Sequence, residues 1–168
     1  AFELQGYLTS IEQDLRIVAA NPMVGEAIGV FDEAFAAIGE NVIAVLKGAY
    51  IRDNPHPLGE KHLLDFSDVA PAYDAAHARY HPWFRELLIE RGYYDIFLFN
   101  NAGDLIYSVF KEEDYATNFS AGGGEWAASD LGEAFRAARA AQVGQLSFFD
   151  FRPYGPSADA PASFISMP

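Results

Sequence analysis

From residue 2 to residue 20, apolar side chains recur at Leu4, Leu8, Ile11, Leu15 and Val18, in steps of four, three, four and three. This is a heptad seam, the spacing of a helix that packs against another helix. Ser10, Glu12, Gln13, Asp14 and Arg16 lie off the seam. The same pattern suits an amphipathic helix lying on its own sheet, so the seam is both a candidate dimer contact and a candidate core stripe. Asn21-Pro22 punctuates it, with Asn21 as N-cap and Pro22 at the first helical position. A second stripe follows at Val24, Ile28, Phe31, Phe35 and Ile38, and Gly39 provides its stop. Residues 41–51 predict a short apolar helix, and Pro55, Pro57 and Gly59 then make a loop.

The next periodic segment runs from Ala72 to Arg79. Pro82 disfavours α geometry at His81, so the pattern predicts a break there. A new helix starts near Pro82 and ends at Arg91, before Gly92. Two strands follow, Asp95 to Asn100 and Leu105 to Phe110, around the turn Asn100-Asn101-Ala102-Gly103-Asp104, where Gly103 or an Asn takes positive φ. Alternation puts Ile96 and Leu98 on one face and Phe97 and Phe99 on the other. On the partner strand it groups Leu105, Tyr107 and Val109 against Ile106, Ser108 and Phe110. Both faces are largely apolar, so both are expected to be covered. A two-stranded hairpin alone is marginal in water, so further strands are expected to join it. A long loop through Gly122-Gly123-Gly124 leads to a helix over about 131–141, capped by Ser129 or Asp130. Strands at about 145–151 and 162–167 close the chain. The order predicts an α+β fold with an antiparallel sheet and flanking helices.

The chain has 168 residues, 51% hydrophobic and 15% aromatic, enough for one packed domain and against disorder. Eleven Lys plus Arg against 24 Asp plus Glu give a net charge of −13, which argues against nucleic acid and against anionic lipid as partners. Without cysteine, thiolate metal sites, disulfides and cysteine nucleophiles are excluded. No apolar run approaches the ~20 residues of a membrane span. Both ends fall inside patterned stretches, so the chain is expected to be a fragment of a longer protein. Gly122 to Gly124 lacks the Lys-Ser/Thr of a phosphate loop, and no Gly-x-Ser-x-Gly elbow occurs. No enzyme activity and no cofactor is expected.

YLTSIEQDLRIVAANPMV, NPHPLGEKH, YHPWFRELLIERGYYDIFLFNNAGDLIYSVFKEEDYATNF, and SDLGEAFRAAR followed by FFDFRPYGPSADAPASFISMP together resemble the Cache-type sensor domain of bacterial methyl-accepting chemotaxis proteins. The resemblance implies a PAS-like antiparallel sheet fed by a long N-terminal helix, a single Cache unit across 1–168. Residues 1–46 would form the N-terminal helices and 47–168 the sheet unit. It implies an extracytoplasmic, periplasmic position in a membrane-anchored receptor of the inner membrane and homodimerisation through the N-terminal helix. Histidine kinases and cyclases reuse the module. The family's sheet carries a last strand leading into the membrane, which is not seen before Pro168. Amino-acid-binding members carry Arg-x-Trp-Tyr where this chain has His81-Pro82-Trp83-Phe84. Trp83 matches and its neighbours do not, so a short carboxylate is expected rather than an amino acid.

The candidate ligand site follows from that placement. Trp83 and Tyr107 would be its walls. Arg79, His81 and Lys111 would be donors to a carboxylate, and Tyr115 a lid. Asp150 and Arg152 end a later strand, followed by Tyr154. The competing expectation is that these aromatics are core and these cations pair with surface acids. Asp74, His77 and His81 are spaced by three and four, one face of a helix, and form a candidate zinc site for a metal-binding sensor or enzyme.

Overall fold

The computed structural model describes residues 2–168, with side chains described from residue 5 onward. The chain is α+β. Its helices are α1 Phe2–Ala19, α2 Pro22–Ile38, α3 Val42–Lys47, α4 Pro71–Arg91 and α5 Asp130–Ala140. Its strands are β1 Phe97–Phe99, β2 Leu105–Ser108, β3 Ser147–Tyr154 and β4 Ala160–Ser166. A π-helical turn, Gly48–Arg52, prolongs α3.

Local chemistry sets most boundaries as expected. The Asn21 side chain accepts from Met23 N at 3.0 Å, and Pro22 opens α2. The Ser129 hydroxyl accepts from Gly132 N to cap α5. Gly92 takes the left-handed conformation that ends α4, with φ 68°.

Pro82 does not break its helix; α4 is continuous from Pro71 to Arg91. Tyr73, Ala76, His77, Tyr80, His81, Phe84 and Leu88 are all buried, an unbroken stripe in steps of one, three and four. An interior proline costs about 3 kcal/mol, and each large buried side chain contributes about 1.5–3 kcal/mol. Burial on both sides of Pro82 outweighs its local preference. At the start of α4, Asp74 reaches back to accept from Ala70 N at 2.8 Å and from the Ser67 hydroxyl at 2.7 Å, which satisfies free donors of the first turn.

The strands form two separate antiparallel ladders, β1–β2 and β3–β4, rather than the one sheet expected. Segment 117–119 lies beside β2, with Leu105 N donating to Thr117 O at 2.9 Å and Phe119 N to Gly103 O at 2.7 Å. Both faces of β1–β2 are covered. On one side Leu98, Tyr107 and Val109 join α2, α3 and α4 in the larger core. On the other, Phe97, Phe99 and Leu105 join Phe119, α5 and the β3–β4 hairpin.

The expected alternation fails at one point. The register shifts between Leu98 and Phe99, so Leu98 faces Tyr107 while Phe99 faces Leu105. Ile106 is the extra residue of this bulge. Leu105 therefore packs in the second core, and Ile106 joins Tyr107 in the first. The Ile106 carbonyl accepts from the Tyr73 hydroxyl at 2.5 Å.

Gly103 makes the hairpin turn, with φ 95°. A Cβ there would meet Ser120 N at 2.8 Å and the Phe135 ring at 3.1 Å. Both the backbone and the space require glycine. Gly103→Ala should lower stability by about 1–3 kcal/mol, read as a lower urea midpoint with unchanged slope; an unshifted midpoint would refute this.

The leading helix is tied to the end of α4. Arg91 pairs with Asp14 at 2.8 Å, and the Tyr93 hydroxyl donates to the same carboxylate. Leu8, Ile11, Leu15 and Val18 are half-buried, while Tyr7 and Ile17 are exposed. The Leu4 side chain of the expected seam lies outside the described residues.

Candidate functional site

The stripe of α4 points Tyr73, His77 and His81 at the bulged hairpin. His81 bridges two partners. Its Nε2 lies 2.6 Å from the His62 carbonyl oxygen, and its Nδ1 lies 2.6 Å from the Tyr107 hydroxyl. A carbonyl only accepts, so Nε2 carries the proton and Nδ1 accepts from Tyr107. Burial holds His81 neutral, with its pKa pushed down to about 2. The ring of His77 stacks on that of His81 with centroids 4.2 Å apart. His77 Nδ1 donates to Asp65 O at 2.5 Å, and its Nε2 has no partner. Burial also keeps His77 neutral, well below its ordinary pKa.

Lys111 follows β2 and sits among tyrosines. It is 1% exposed, and its backbone is left-handed, with φ 61°. Its Nζ lies 4.6 Å from the ring centre of Tyr107, 5.3 Å from Tyr115 and 5.7 Å from Tyr50. The ammonium donates to Ser108 O, and to Val109 O at 3.4 Å. Among the described residues Lys111 takes part in no ion pair. Burial lowers its pKa. The surrounding hydroxyls are ordered: Tyr115 donates to the Tyr73 oxygen at 2.7 Å, and Tyr50 donates to Asp74 at 2.5 Å.

Two buried carboxyl groups stand nearby in the chain. Asp95 Oδ1 accepts from Ile96 N, Val109 N and Phe110 N at 2.7, 2.9 and 3.2 Å, while its Oδ2 is unpartnered. Asp114 Oδ2 accepts from the Tyr154 hydroxyl at 2.5 Å, and its Oδ1 is unpartnered. Burial raises the pKa of both, Asp95 with help from the Asp114 charge.

For Asp114 the pKa is pushed up to about 6, mainly by burial. The folded chain therefore holds this proton where the unfolded chain has released it, so stability falls as pH rises from about 4 to about 6, by about 1.4 kcal/mol per unit. Asp114→Asn has no such loss. Relative to wild type it should gain about 2–3 kcal/mol between pH 4 and pH 7 in urea unfolding; a constant difference would contradict the assignment.

The sequence-derived candidates divide into two groups. His81, Tyr107, Lys111 and Tyr115 meet in this buried centre, although Tyr115 is fully buried rather than a free lid. The others do not reach it. The Arg79 guanidinium is exposed and pairs with Glu26 at 2.8 Å. Trp83 is half-buried, its ring 5.1 Å from that of Phe84. Asp150 is exposed, and Arg152 pairs with Asp130 at 3.3 Å on the surface. The open cup expected between Trp83 and Tyr107 is filled by side chains. Two shallow depressions of about 370 and 300 Å³ flank Pro71, and neither is lined by His81, Tyr107 or Lys111.

The zinc reading is also corrected. Asp74, His77 and His81 do share the helix face, but Asp74 is occupied by four hydrogen bonds and both His81 nitrogens are engaged. Among the described residues no group of three His, Cys, Asp or Glu is placed to hold a metal ion.

Tyr50, Tyr73, Asp95 and Asp114 were not among the sequence candidates. The unbroken stripe of α4 could have placed Tyr73 beside His77; nothing local marks Tyr50. Comparison with family models, curated proteins and solved structures finds no match to this chain.

Proposed function

We propose that the chain is the ligand-sensing domain of a transmembrane chemoreceptor of the Cache type, binding a small organic molecule at the Lys111 centre and catalysing nothing. The observation that carries this reading is Lys111 itself, a buried amine with no carboxylate at ion-pair distance among the described residues, held on left-handed backbone. Burying an unpaired charge costs several kcal/mol, and backbone of this kind costs about 1–3 kcal/mol more. Such expense concentrates at binding and switching sites. The stretch that carries the family resemblance, YSVFKEEDYATN, supplies Tyr107, Lys111 and Tyr115 to this one centre.

In this reading the packing with Lys111 among the tyrosines is the closed form. The two separate ladders and their helices make a PAS-like sensing unit, and the domain lies outside the inner membrane. No single helix among the described residues is long and apolar enough to cross a membrane. A ligand shifts the domain only through its difference in affinity between closed and open forms. The short carboxylate expected from sequence would meet Lys111 in this centre and Arg85 behind His81, since Arg79 is on the surface and His81 is neutral.

The bias passes to α1, whose half-buried seam pairs with a second copy. Leu8→Asp should then shift sedimentation from dimer to monomer with the helical circular dichroism retained. An unchanged sedimentation coefficient would remove the seam from the reading. The function is tested by a chimera carrying residues 1–168 between the membrane spans of a chemoreceptor of known output, screened with small acids and amines. Ligand-dependent kinase control is expected. A folded chimera that answers no compound, together with no thermal shift of the isolated domain, would overturn the proposal. Histidine-kinase and cyclase receptors would use the same sensing unit with another output.

A further inference from the structure

We infer that the Lys111 centre is an ammonium site, filled in this closed form by the chain's own lysine, and that its ligand is a small primary or methylated amine. The inference rests on the sensor reading above and fixes the charge of the ligand. A cation is attracted to the face of an aromatic ring within about 6 Å of its centre. Three tyrosine rings, of Tyr107, Tyr115 and Tyr50, lie at 4.6, 5.3 and 5.7 Å from Nζ. The remaining contacts of Nζ are carbonyl oxygens, of Ser108 and Val109. Ring faces and carbonyl dipoles present negative potential to whatever replaces the lysine head.

The wider surroundings are mixed: Asp95 favours an ammonium at Nζ, and the Arg85 guanidinium opposes it. Asp95 and Asp114 each hold an unpartnered buried carboxyl oxygen, and the chain carries a net charge of −13. A carboxylate entering here would meet tyrosine faces and carbonyls, with Lys111 in the cage and Arg85 further out as its cations. An amine finds every contact that Nζ now makes.

Displacement of Lys111 is built into the backbone. Lys111 and Ala116 both have left-handed φ, 61° and 64°, so the segment between them gains freedom when the lysine leaves the cage. That segment also grips the C-terminal hairpin. Asp114 accepts from Tyr154, and Glu112 accepts from Ser157 at 2.6 Å. Filling the cage with an external amine therefore loosens 111–116 and changes the hold on β3 and the turn that follows it.

The test is thermal shift and calorimetry on residues 1–168, with methylammonium, tetramethylammonium and sodium acetate at matched ionic strength. The ammonium salts should raise the melting temperature of the native chain, and acetate should not. Lys111→Ala removes the internal competitor and should bind the same cations about tenfold or more tightly, about 1.4 kcal/mol. Should that variant fail to fold, Lys111→Met keeps the apolar stem without the terminal ammonium and should likewise bind tighter than native.

A native chain that answers acetate and ignores both cations overturns the inference and leaves the sensor reading standing. A chain that answers none of the three, and no compound of the wider screen, overturns both. Binding of cations by Lys111→Ala but not by the native chain makes Lys111 a permanent plug, which also overturns the inference.

Discussion

Replacing His81 by alanine is expected to lower stability by about 3–5 kcal/mol at pH 7.5, one of the largest losses available in this chain. Two effects add. A fully buried ring is truncated, leaving a cavity beside His77 and Tyr107. The Tyr107 hydroxyl also loses its acceptor, and a buried orphan of this kind costs about 1–3 kcal/mol. The His62 carbonyl is less affected, because Arg85 still donates to it at 3.0 Å.

A double variant separates the two effects. Once His81 is gone, Tyr107→Phe removes a hydroxyl that has no partner. His81→Ala/Tyr107→Phe should therefore be less damaged than the sum of the single variants, by about 1–2 kcal/mol. Strict additivity would mean that the hydrogen bond between them contributes nothing.

The same position carries a pH dependence of known sign. In the fold His81 stays neutral down to about 2, whereas an unfolded histidine takes a proton near 6.5. Below about 6.5 the unfolded state binds more protons, so wild type loses about 1.4 kcal/mol per pH unit through this residue. The alanine variant has nothing there to titrate. Its deficit relative to wild type should shrink by about 2 kcal/mol between pH 7.5 and pH 5. A deficit independent of pH would mean that His81 is charged, or exposed, in the fold.

Much of the architecture was legible where one short stretch decides the outcome. Asn21-Pro22 specifies a helix start through a cap and a fixed φ, and Gly103 specifies a turn because only glycine takes φ 95° against the Ser120 backbone. The two covered faces of β1–β2 followed from apolar residues at both parities. The failures share a physical origin, a local rule set against a longer-range demand. Pro82 argues for a break over one residue, but the stripe from Tyr73 to Leu88 argues for continuity over four turns, and burial decides.

The candidate site shows the same division. Arg79 sits off that stripe, so its position on the exposed face, paired with Glu26, was available from the pattern alone. The bulge at Ile106 has no glycine to announce it, and the Tyr73 hydroxyl that donates to the Ile106 carbonyl comes from a distant helix. Tyr50 lies on a π-helical turn, a geometry that no residue type marks, so its place beside Lys111 had to come from the fold.

Phe31→Ala is expected to cost about 3–5 kcal/mol, the range for truncating a fully buried aromatic. Phe31 on α2 contacts the rings of Tyr107, Tyr73, Tyr80 and His77, with centroids 4.9, 5.2, 6.0 and 6.4 Å away. Phe31→Leu keeps most of the volume and should cost less than half as much. The larger core that Phe31 anchors meets the smaller one across the thin β1–β2 pair, where Leu98 and Tyr107 face one side and Phe99 and Leu105 the other. If that pair makes the two cores one cooperative unit, Phe31→Ala should lower hydrogen-exchange protection equally in α4 and in α5, although α5 touches none of the removed contacts. Protection lost in α4 alone would show that the C-terminal hairpin and α5 unfold separately. The hold of Asp114 and Glu112 on that hairpin would then be a link through which events at Lys111 reach it.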